Sequence, residues 1–458
     1  MNIRSDNKES NFIEHSTEIL MYDASTDVLK ITKNNKSFGG VVRAIASKSH
    51  AHRLLIAGAL SENTVRLMTP DSSQDIEATV NTLTGLGASV IRTADSYEIT
   101  PLNINPKDYT DIDCGESGST LRFIIPVIGA LGRNVNITMH GRLSERPLSP
   151  MYEELERHGL SMSPQGTNPF HIEGQLCGGD YTIAGNISSQ FITGLLFALP
   201  LLKENSSLHV TGKLESRPYV DITLDVIRRF GIIINENKLE NGEVEFEIPG
   251  SQKYIYPTSK DIIVDGDWSN AAFFLSAGAI SDKPVTVTGL NASSLQGDRR
   301  ILDILKAFGA DIKEEHLLNI EQYRNITVSP SDMKGIEIDA ADIPDLVPIL
   351  SVVAAAAKGQ TVIRNIERLR IKESDRVQTI ISTLSALNAN IYEKDNCLII
   401  NGTGHLSGGT VDSFNDHRIA MSSAIASLIT DGDIIIRNPM AVRKSYPKFY
   451  EDFNALFR

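Results

Sequence analysis

Residues 369–376 (LRIKESDR) form the densest run of charged side chains that precedes a helical pattern in this sequence. Five of these eight residues are charged: Arg370, Lys372, Glu373, Asp375 and Arg376. Apolar residues at helical spacing follow from position 377, so the charges fall at a helix N-terminus, which attracts anions. Lys372 and Arg376 are four residues apart, which predicts a shared helix face and an anion site. Glu373 lies between them as a carboxylate for proton transfer. The alternative is a solvated helix start with weak local ion pairs.

Similar polar segments open other predicted helices: residues 47–53 (SKSHAHR), 115–122 (GESGSTLR), 185–190 (GNISSQ), 216–221 (SRPYVD), 267–270 (DWSN) and 416–418 (DHR). Each alone is explained by ordinary N-capping, because Ser, Asp and Asn are preferred caps. As a set, however, they bring nine cations to the starts of elements: Lys48, Arg53, Arg122, Arg146, Arg217, Lys372, Arg376, Arg418 and Lys444. Such clustering indicates a site for small polyanions, which Arg and Lys bind through charged hydrogen bonds.

Overall charge and cysteine content narrow the class of protein. The net charge of −13 argues against a nucleic-acid or anionic-membrane surface. The three cysteines, Cys114, Cys177 and Cys397, lack metal-ligand spacing, which predicts a reduced, cytoplasmic protein. The longest weakly polar run, residues 181–202, is too polar to span a bilayer. Residues 1–26 are polar and rich in acids, which predicts a disordered or loosely attached tail rather than a targeting peptide.

A long internal repeat is visible in the sequence. Helical patterns end at a Gly or Asn and are followed by a strand pair at Gly87, Gly159, Gly231, Gly309 and Asn388, with spacings of 72, 72, 78 and 79 residues. Gly and Asn suit the left-handed conformation of a helix C-cap. This period predicts repeated supersecondary units.

The two ends of the chain complete the count. Residues 445–458 have the pattern of a sixth helix without strands, whereas residues 28–32 and 40–45 resemble a strand pair without a helix. We therefore predict that the N-terminal strands complete the sixth unit. Residues 27–46 plus 265–458 then form a discontinuous domain, and residues 47–264 form an inserted domain, with three units in each. A simple tandem of two domains is the alternative, since 458 residues exceed one ordinary core.

Seven motifs in this order resemble those of the 5-enolpyruvylshikimate-3-phosphate synthase family: SKS at 47–49, GNISSQ at 185–190, SRPY at 216–219, IPD at 343–345, KESDR at 372–376, DHR at 416–418 and KSYP at 444–447. Each motif is weak alone, but their order is specific, and the resemblance covers residues 28–458. It implies an α/β (α+β) enolpyruvyl transferase fold of two domains. Each domain would hold three βαβαββ-type units, with the active site in the cleft between the domains.

The resemblance also implies a reaction. Members of the family transfer the enolpyruvyl group of phosphoenolpyruvate to the 5-hydroxyl of shikimate 3-phosphate, releasing phosphate through a tetrahedral intermediate. This is a step of the shikimate pathway toward chorismate and the aromatic amino acids. It implies a cytoplasmic, monomeric transferase without metal or organic cofactor and without nucleic-acid or membrane partners. It further implies inhibition by glyphosate, which competes with phosphoenolpyruvate in the family.

Roles for individual residues follow from the same resemblance. Shikimate 3-phosphate would be held by Lys48, Ser49 and Arg53, and its phosphate by Ser188, Ser189 and Ser216. Gln190 would lie between the substrates, and Lys48 would reach both of them. Phosphoenolpyruvate would contact Gly118, Arg146, Arg376, Arg418 and Lys444. Asp345 and Lys372 would contact the shikimate hydroxyls, with Asp345 as the catalytic base and Glu373 as the acid.

Two positions depart from the family pattern. Glu116 stands where many members have Asn, so its carboxylate must be paired or turned away from phosphoenolpyruvate. Arg368 stands where some members place an Asn, and we leave it outside the predicted site.

Three alternatives remain. A sibling enzyme acts on UDP-N-acetylglucosamine and typically has a loop cysteine, which residues 141–146 lack. A non-catalytic anion-binding relative would not need Asp345 and Glu373. An RNA-end-processing relative is disfavoured by the net charge of −13.

Overall fold

The computed structural model describes residues 19–102, 110–257, 260–317 and 320–458, with backbone only at 317, 320 and 321. The chain begins with β1 (Leu20–Asp23), β2 (Val28–Ile31) and β3 (Gly40–Arg43). Within these ranges no helix combines the length and apolar character needed to cross a bilayer.

The first half of the chain contains three consecutive units. The first comprises α1 (Lys48–Leu60), β4 (Val65–Met68), α2 (Gln74–Gly85), β5 (Ser89–Arg92) and β6 (Ser96–Thr100). The second comprises β7 (Thr110–Asp113), α3 (Gly118–Ala130), β8 (Val135–Thr138), α4 (Met151–Arg157), β9 (Leu160–Met162) and β10 (Phe170–Gly174). The third comprises β11 (Asp180–Ala184), α5 (Ser189–Ala198), β12 (Ser206–Thr211), α6 (Arg217–Arg229), β13 (Asn235–Lys238) and β14 (Val244–Ile248), and β15 (Ile262–Ile263) follows it.

The second half repeats the arrangement. The fourth unit comprises α7 (Trp268–Ile280), β16 (Val285–Asn291), α8 (Ile301–Phe308), β17 (Asp311–Leu317) and β18 (Ile320–Ser329). The fifth comprises β19 (Glu337–Asp339), α9 (Val347–Ala356), β20 (Lys358–Arg364), α10 (Arg376–Ala386), β21 (Asn390–Lys394) and β22 (Cys397–Thr403). The sixth comprises β23 (Gly409–Asp412), α11 (His417–Ala426), β24 (Ile434–Arg437) and α12 (Phe449–Ala455).

The strands form six four-stranded sheets of one design. In the second unit, for example, β7 pairs in parallel with β8, and β8 and β9 each pair antiparallel with β10. This is the predicted βαβαββ unit. All five predicted helix stops have positive φ, from 64° at Asn388 to 108° at Gly309. The repeat was visible in the sequence because a positive φ favours Gly or Asn.

Of the two N-terminal strands predicted to complete the sixth unit, only the first does so, because β2 pairs antiparallel with β24 in the sheet of order β1-β2-β24-β23. The predicted pairing of residues 28–32 with 40–45 is wrong. The hairpin partner of β2 is β1, and β3 instead lies parallel to β16 in the fourth sheet. Of the predicted tail, residues 1–18 lie outside the described residues. Residues 20–23 are strand rather than tail, because Ile19 and Leu20 are buried in the core.

The two crossovers between the halves lie side by side. The amide of Ser47 donates to the carbonyl of Asp265 at 2.7 Å, and that of Asp267 donates to Ile45 at 2.8 Å. At each crossover, the strand before the crossing point stays in a sheet of the domain that the chain is leaving. Thus β3 precedes α1 but belongs to the fourth sheet, whereas β15 precedes α7 but pairs with β4 in the first. The halves are therefore linked by exchanged strands as well as by the chain.

Two separate hydrophobic cores underlie the two domains. One core is built from residues between 19 and 45 and between 268 and 456, and the other from residues between 46 and 264. In the discontinuous domain, α12 carries an aromatic cluster. The buried ring of Phe449 lies 5.4 Å from that of Phe274 and 5.7 Å from that of Tyr446, measured between ring centroids.

We expect Phe449→Ala to lower the free energy of unfolding by about 3–5 kcal/mol, because it removes a fully buried ring and leaves a cavity. Urea unfolding followed by circular dichroism measures this loss. Tyr392→Ala is the control, since Tyr392 is 42% exposed on β21, and it should cost less than about 1 kcal/mol. Equal effects of the two substitutions would contradict the assigned role of α12.

Candidate functional site

A cleft between the two domains is lined by residues of both. It contains fourteen of the fifteen predicted site residues: Lys48, Ser49, Arg53, Gly118, Arg146, Ser188, Ser189, Gln190, Ser216, Asp345, Lys372, Glu373, Arg376 and Arg418. The fifteenth, Lys444, lies behind the cleft residue Glu116 and contacts it at 2.7 Å. The structure therefore brings the predicted residues to one place, although they come from five of the six units.

Side-chain caps begin several of the helices at the cleft. Ser47, Ser188 and Asp416 accept hydrogen bonds from the first amides of α1, α5 and α11. Because the caps satisfy only some of the free amides, these helix ends still present donors and a positive partial charge. The next side chains, such as Lys48 and Arg418, therefore enter the cleft beside helix N-termini.

Arg376 is the centre of the ionic network on one wall. Its guanidinium, 2% exposed, contacts Asp416 through Nε at 2.8 Å and Asp345 through Nη1 at 2.6 Å. Ser374 donates to the same Asp416 carboxylate at 3.0 Å. One buried cation thus joins the starts of α10 and α11 to the segment that precedes α9.

Lys372 reaches this network by a different route from the one predicted. Asp375 caps α10 by accepting from the amides of Val377 and Gln378, so the helix begins at Arg376 and Lys372 precedes it in extended backbone. The predicted shared helix face is therefore wrong. The two cations meet instead at Asp345, whose Oδ1 lies 3.5 Å from the Lys372 Nζ.

Asp345 is held as an ionised carboxylate. Burial alone would raise its pKa, but the charges of Arg418, Lys372 and Arg376 outweigh burial and hold the pKa well below its usual range. The hydroxyl of Tyr219 donates to the other carboxylate oxygen at 2.8 Å. The arrangement fixes the orientation of a buried anionic group that can accept a hydrogen bond or a proton.

Glu373 pairs with His417. The Nδ1 of His417 lies 2.9 Å from Oε2 of Glu373. Burial raises the pKa of Glu373, but His417, Lys48 and Arg376 together bring it well below its usual value. Burial lowers the pKa of His417 more than Glu373 raises it. The Nε2 of this buried imidazole has no hydrogen-bond partner among the residues that the structure describes. The pair can hold and pass a proton if the nearby positive charges are neutralised.

The opposite wall comes from the inserted domain. Lys48 Nζ contacts Asp75 at 2.7 Å. Burial would lower the pKa of Lys48, but the charges of Asp75 and Glu373 more than offset burial, so the pKa is raised. Arg53 donates to the hydroxyl of Thr223 at 2.8 Å, and Gln190 donates to that of Ser119 at 3.0 Å. Lys48, Arg53 and Gln190 are thus each held in place by a neighbouring side chain.

One member of the predicted cation cluster lies elsewhere. Arg217 makes two contacts of 2.7 Å with Glu236 and one of 2.6 Å with Asp221, all outside the residues that line the cleft. Its inclusion among the anion-binding cations was wrong, because its partners come from α6 and from β13, which the sequence does not show to be adjacent.

The cleft residues outside the predicted set include Asp75, Tyr219, Arg368 and His417. Asp75 has the sequence signature of an ordinary first-turn acid on α2. Tyr219 and His417 stand within the SRPY and DHR motifs, which were the available signals. Arg368, noted as a departure from the family pattern, donates to the Ser216 hydroxyl at 2.6 Å.

Among the described residues, Glu373, Asp416 and His417 place one ligand atom each within 4.8 Å of one another, as a metal site would. Arg376 already contacts both oxygens of Asp416, at 2.8 and 3.2 Å. A guanidinium therefore occupies the position where a metal ion would neutralise that carboxylate, and the donor set fits this cation rather than a metal.

Both the sequence and the fold are similar to those of known proteins. The family model for EPSP synthase (3-phosphoshikimate 1-carboxyvinyltransferase) matches residues 32–453. A 3-phosphoshikimate 1-carboxyvinyltransferase of Clostridium perfringens is 44% identical over 419 residues, which are 91% of this chain and 96% of the relative. That of Clostridium kluyveri is 40% identical over 427 residues, 93% and 97% of the two chains. The chain belongs to the EPSP synthase family.

Solved structures agree with this membership. The structure of EPSP synthase from Acinetobacter baumannii has a TM-score of 0.77 with 27% identity, and the match covers 94% of this chain and 98% of that one. The enolpyruvyl transferase NikO from Streptomyces tendae has a TM-score of 0.71 and 16% identity, covering 94% and 97%, so it supports the fold alone. The chain thus has the two-domain enolpyruvyl transferase fold predicted from its motifs.

We expect this member of the EPSP synthase family to bind sulfate more weakly as the pH rises from 7.5 to 9. Burial lowers the pKa of Lys372 to about 8, so the cleft loses a positive charge in this range. Sulfate keeps its charge throughout, and the loss of one charged contact should weaken binding about tenfold. Calorimetric titration at several pH values measures the effect.

Lys372→Arg is the matched control, because a guanidinium stays protonated over this range. The variant should bind sulfate with little change between pH 7.5 and 9. If wild type and variant lose affinity in parallel, another group is responsible and the assignment to Lys372 is wrong.

Proposed function

We propose that this chain transfers the enolpyruvyl group of phosphoenolpyruvate to the 5-hydroxyl of shikimate 3-phosphate and releases phosphate. The observation that carries the proposal is the cleft in which cations from both domains surround two partly buried carboxylates, Asp345 and Glu373. Two phosphates and two carboxylates enter with these substrates, and such a cation set can neutralise them. The membership in the EPSP synthase family supports the same reaction.

The proposed binding roles follow the two walls. The hydroxyls of Ser188, Ser189 and Ser216 would hold the shikimate phosphate at the start of α5 and α6. Lys48, Ser49, Arg53, Gln190 and Lys372 would hold the rest of shikimate 3-phosphate, together with Asp345. Phosphoenolpyruvate would lie against Gly118 and the cations Arg146, Arg376, Arg418 and Lys444. This arrangement would bring the 5-hydroxyl to the enol carbon between the domains.

In the addition step, Asp345 would accept the proton of the 5-hydroxyl, whose oxygen then bonds to C2 of phosphoenolpyruvate. Glu373 would deliver a proton to the C3 methylene, giving a tetrahedral intermediate with a methyl group. In the elimination step, a proton leaves that methyl group while the bond from C2 to the phosphate oxygen breaks. The surrounding cations would stabilise the departing phosphate.

Glu373 must carry a proton to act as an acid, yet the neighbouring cations lower its pKa. We infer that substrate binding reverses this balance. His417 contributes most to this lowering, and the anionic substrates would remove the further contributions of Lys48 and Arg376, whereas burial, which raises the pKa of a carboxyl group, would remain. The Nδ1 of His417, 2.9 Å from Oε2 of Glu373, gives the proton a second place to reside in the tautomer in which Nδ1 is unprotonated.

We also propose that the protein acts as a monomer in the cytoplasm. Its substrates, which are polyanionic metabolites, would be made and consumed there. We infer a discontinuous domain of residues 19–45 plus 265–458 and an inserted domain of residues 46–264, which the two cores support. Glyphosate would compete with phosphoenolpyruvate beside Gly118. Sedimentation velocity tests the monomer, and limited proteolysis near residues 46 and 264 tests the domain limits.

We expect Glu373→Gln to lower kcat by about 100-fold or more, because the amide cannot deliver a proton to the methylene carbon. Phosphate release from phosphoenolpyruvate, measured with and without shikimate 3-phosphate, tests both reaction and role. Wild-type release should depend on shikimate 3-phosphate. Glu393→Gln is the matched control, since Glu393 pairs with Arg370 on the surface, and it should retain activity.

Other outcomes would redirect the assignment. Phosphate release only with UDP-N-acetylglucosamine would identify the sibling reaction. Binding heat for both substrates without phosphate release would indicate a non-catalytic relative. Release that survives in Glu373→Gln would leave the reaction intact but contradict the role of Glu373.

We expect Gly118→Ala to raise the KM for phosphoenolpyruvate about tenfold or more. A Cβ at this position would meet the Arg122 Nη1 at 2.9 Å and would displace the Arg146 guanidinium, which lies closer still. The inhibition constant of glyphosate should rise in the same variant. Steady-state kinetics measure both values. Gly166→Ala is the control for the kinetics: among the described residues no heavy atom lies within 4 Å of its added Cβ, and the strain at its φ of +88° should lower stability without altering the cleft. An unchanged KM in Gly118→Ala would contradict the proposed location of phosphoenolpyruvate.

A further inference from the structure

Glu116 links the two domains across one end of the cleft. It lies in the loop before α3 in the inserted domain, and its Oε2 accepts from Lys444 Nζ at 2.7 Å and from the Asn415 side chain at 3.1 Å. Both partners belong to the sixth unit in the other domain. Lys444 also donates to the Asn415 carbonyl at 2.7 Å. The three residues Glu116, Asn415 and Lys444 form a small closed network, the Glu116 clasp.

The absence of a side chain at Gly141 leaves space for the clasp. Gly141 has a φ of +54°, and a Cβ there would lie 2.7 Å from both Cδ and Oε2 of Glu116. The backbone of this loop is held by a hydrogen bond of 2.8 Å from the His140 amide to the Gly115 carbonyl. A side chain at position 141 would therefore push the carboxylate away from Lys444, and the glycine leaves the space that the clasp uses.

Glu116 stands between Lys444 and the cleft. The Glu116 side chain lines the cleft and is 34% exposed, whereas the Lys444 side chain is 8% exposed and lies behind it. An anion that enters this end of the cleft therefore meets a cation whose charge is already neutralised by a carboxylate. The Glu116 charge would also repel it at short range, where water screens poorly.

We propose that Glu116 is an internal anion that competes with phosphoenolpyruvate for the charge of Lys444 and so limits the affinity of the cleft for this substrate. The inference rests on the proposed function, in which Lys444 binds phosphoenolpyruvate. The same competition applies to other anions at that position, such as glyphosate. Shikimate 3-phosphate, which the serine hydroxyls of the opposite end would hold, lies outside this competition.

Glu116→Gln separates the charge from the contact, because the amide oxygen can still accept from Lys444. The KM for phosphoenolpyruvate should fall about three- to tenfold, whereas the KM for shikimate 3-phosphate should stay within about twofold. Glu62→Gln is the matched control, since Glu62 pairs with Lys253 on the surface and the net charge changes equally. An unchanged or increased KM for phosphoenolpyruvate in Glu116→Gln would overturn the proposal, and an increase would indicate that the clasp serves only to join the domains.

A Lys444→Met background tests the route of the effect. If Glu116 acts through Lys444, Glu116→Gln should change the KM for phosphoenolpyruvate by less than about twofold in this background. A reduction as large as in the wild-type background would show general repulsion and contradict the competition.

Calorimetric binding of phosphoenolpyruvate, which needs no turnover, separates this inference from the proposed reaction. Tighter binding by Glu116→Gln in a protein that releases no phosphate would support the competition while the transfer reaction fails. Turnover together with an unchanged phosphoenolpyruvate affinity in Glu116→Gln would support the transfer reaction and contradict the competition.

Discussion

The contact of Arg376 with Asp416 and Asp345 is the constraint on which the catalytic wall depends. Arg376 is 2% exposed and Asp416 fully buried, so both charges have lost their water and need each other. The pKa of Arg376 is raised because Asp416, Asp345 and Glu373 together outweigh its burial. Removing one partner from such a pair typically costs about 3–5 kcal/mol, since an unpaired charge stays buried. The network therefore fixes the positions of Glu373, which lies just before α10, and Arg418, which lies in the first turn of α11.

The repeat explains why these helix starts converge. Five of the six units present the N-terminus of at least one helix toward the cleft, and in units one to five a Gly or Asn stop marks the end of the second helix. These features were predictable because they are local: a positive φ limits the choice at Gly87 or Asn388, and a cap requires Ser or Asp. The circular closure was also predictable, since one end of the chain lacked strands that the other end supplied. The location of β3 was not predictable, because both crossovers exchange a strand between the domains. The spacing of residues in the sequence does not show such an exchange.

The candidate site was predictable to a similar extent and for similar reasons. The motifs named the residues that line the cleft, including Lys48, Asp345 and Glu373, because each stands at a recognisable helix start or within a family pattern. The partners that tune them came from distant segments and left no local signal. Asp75 lies 27 residues from Lys48, and the misplaced Arg217 finds Glu236 on a strand of the same unit. Local sequence identifies charged groups, whereas tertiary contacts decide which of them remain free to bind a ligand.

The cleft contains its own counterions, and this has a consequence for catalysis. Asp345, Glu373, Asp416, Asp75 and Glu116 neutralise most of the cations that would otherwise repel one another at the domain boundary. An acidic chain of net charge −13 can therefore bury a cationic site at tolerable cost. Anionic substrates must then replace internal carboxylates as partners of these cations. Each replacement would release a carboxylate from the charge that lowers its pKa, so in the proposed mechanism substrate binding and the protonation of Glu373 would be coupled. The site would thus acquire its acid only when both anions are present, which ties proton delivery to occupancy of the cleft.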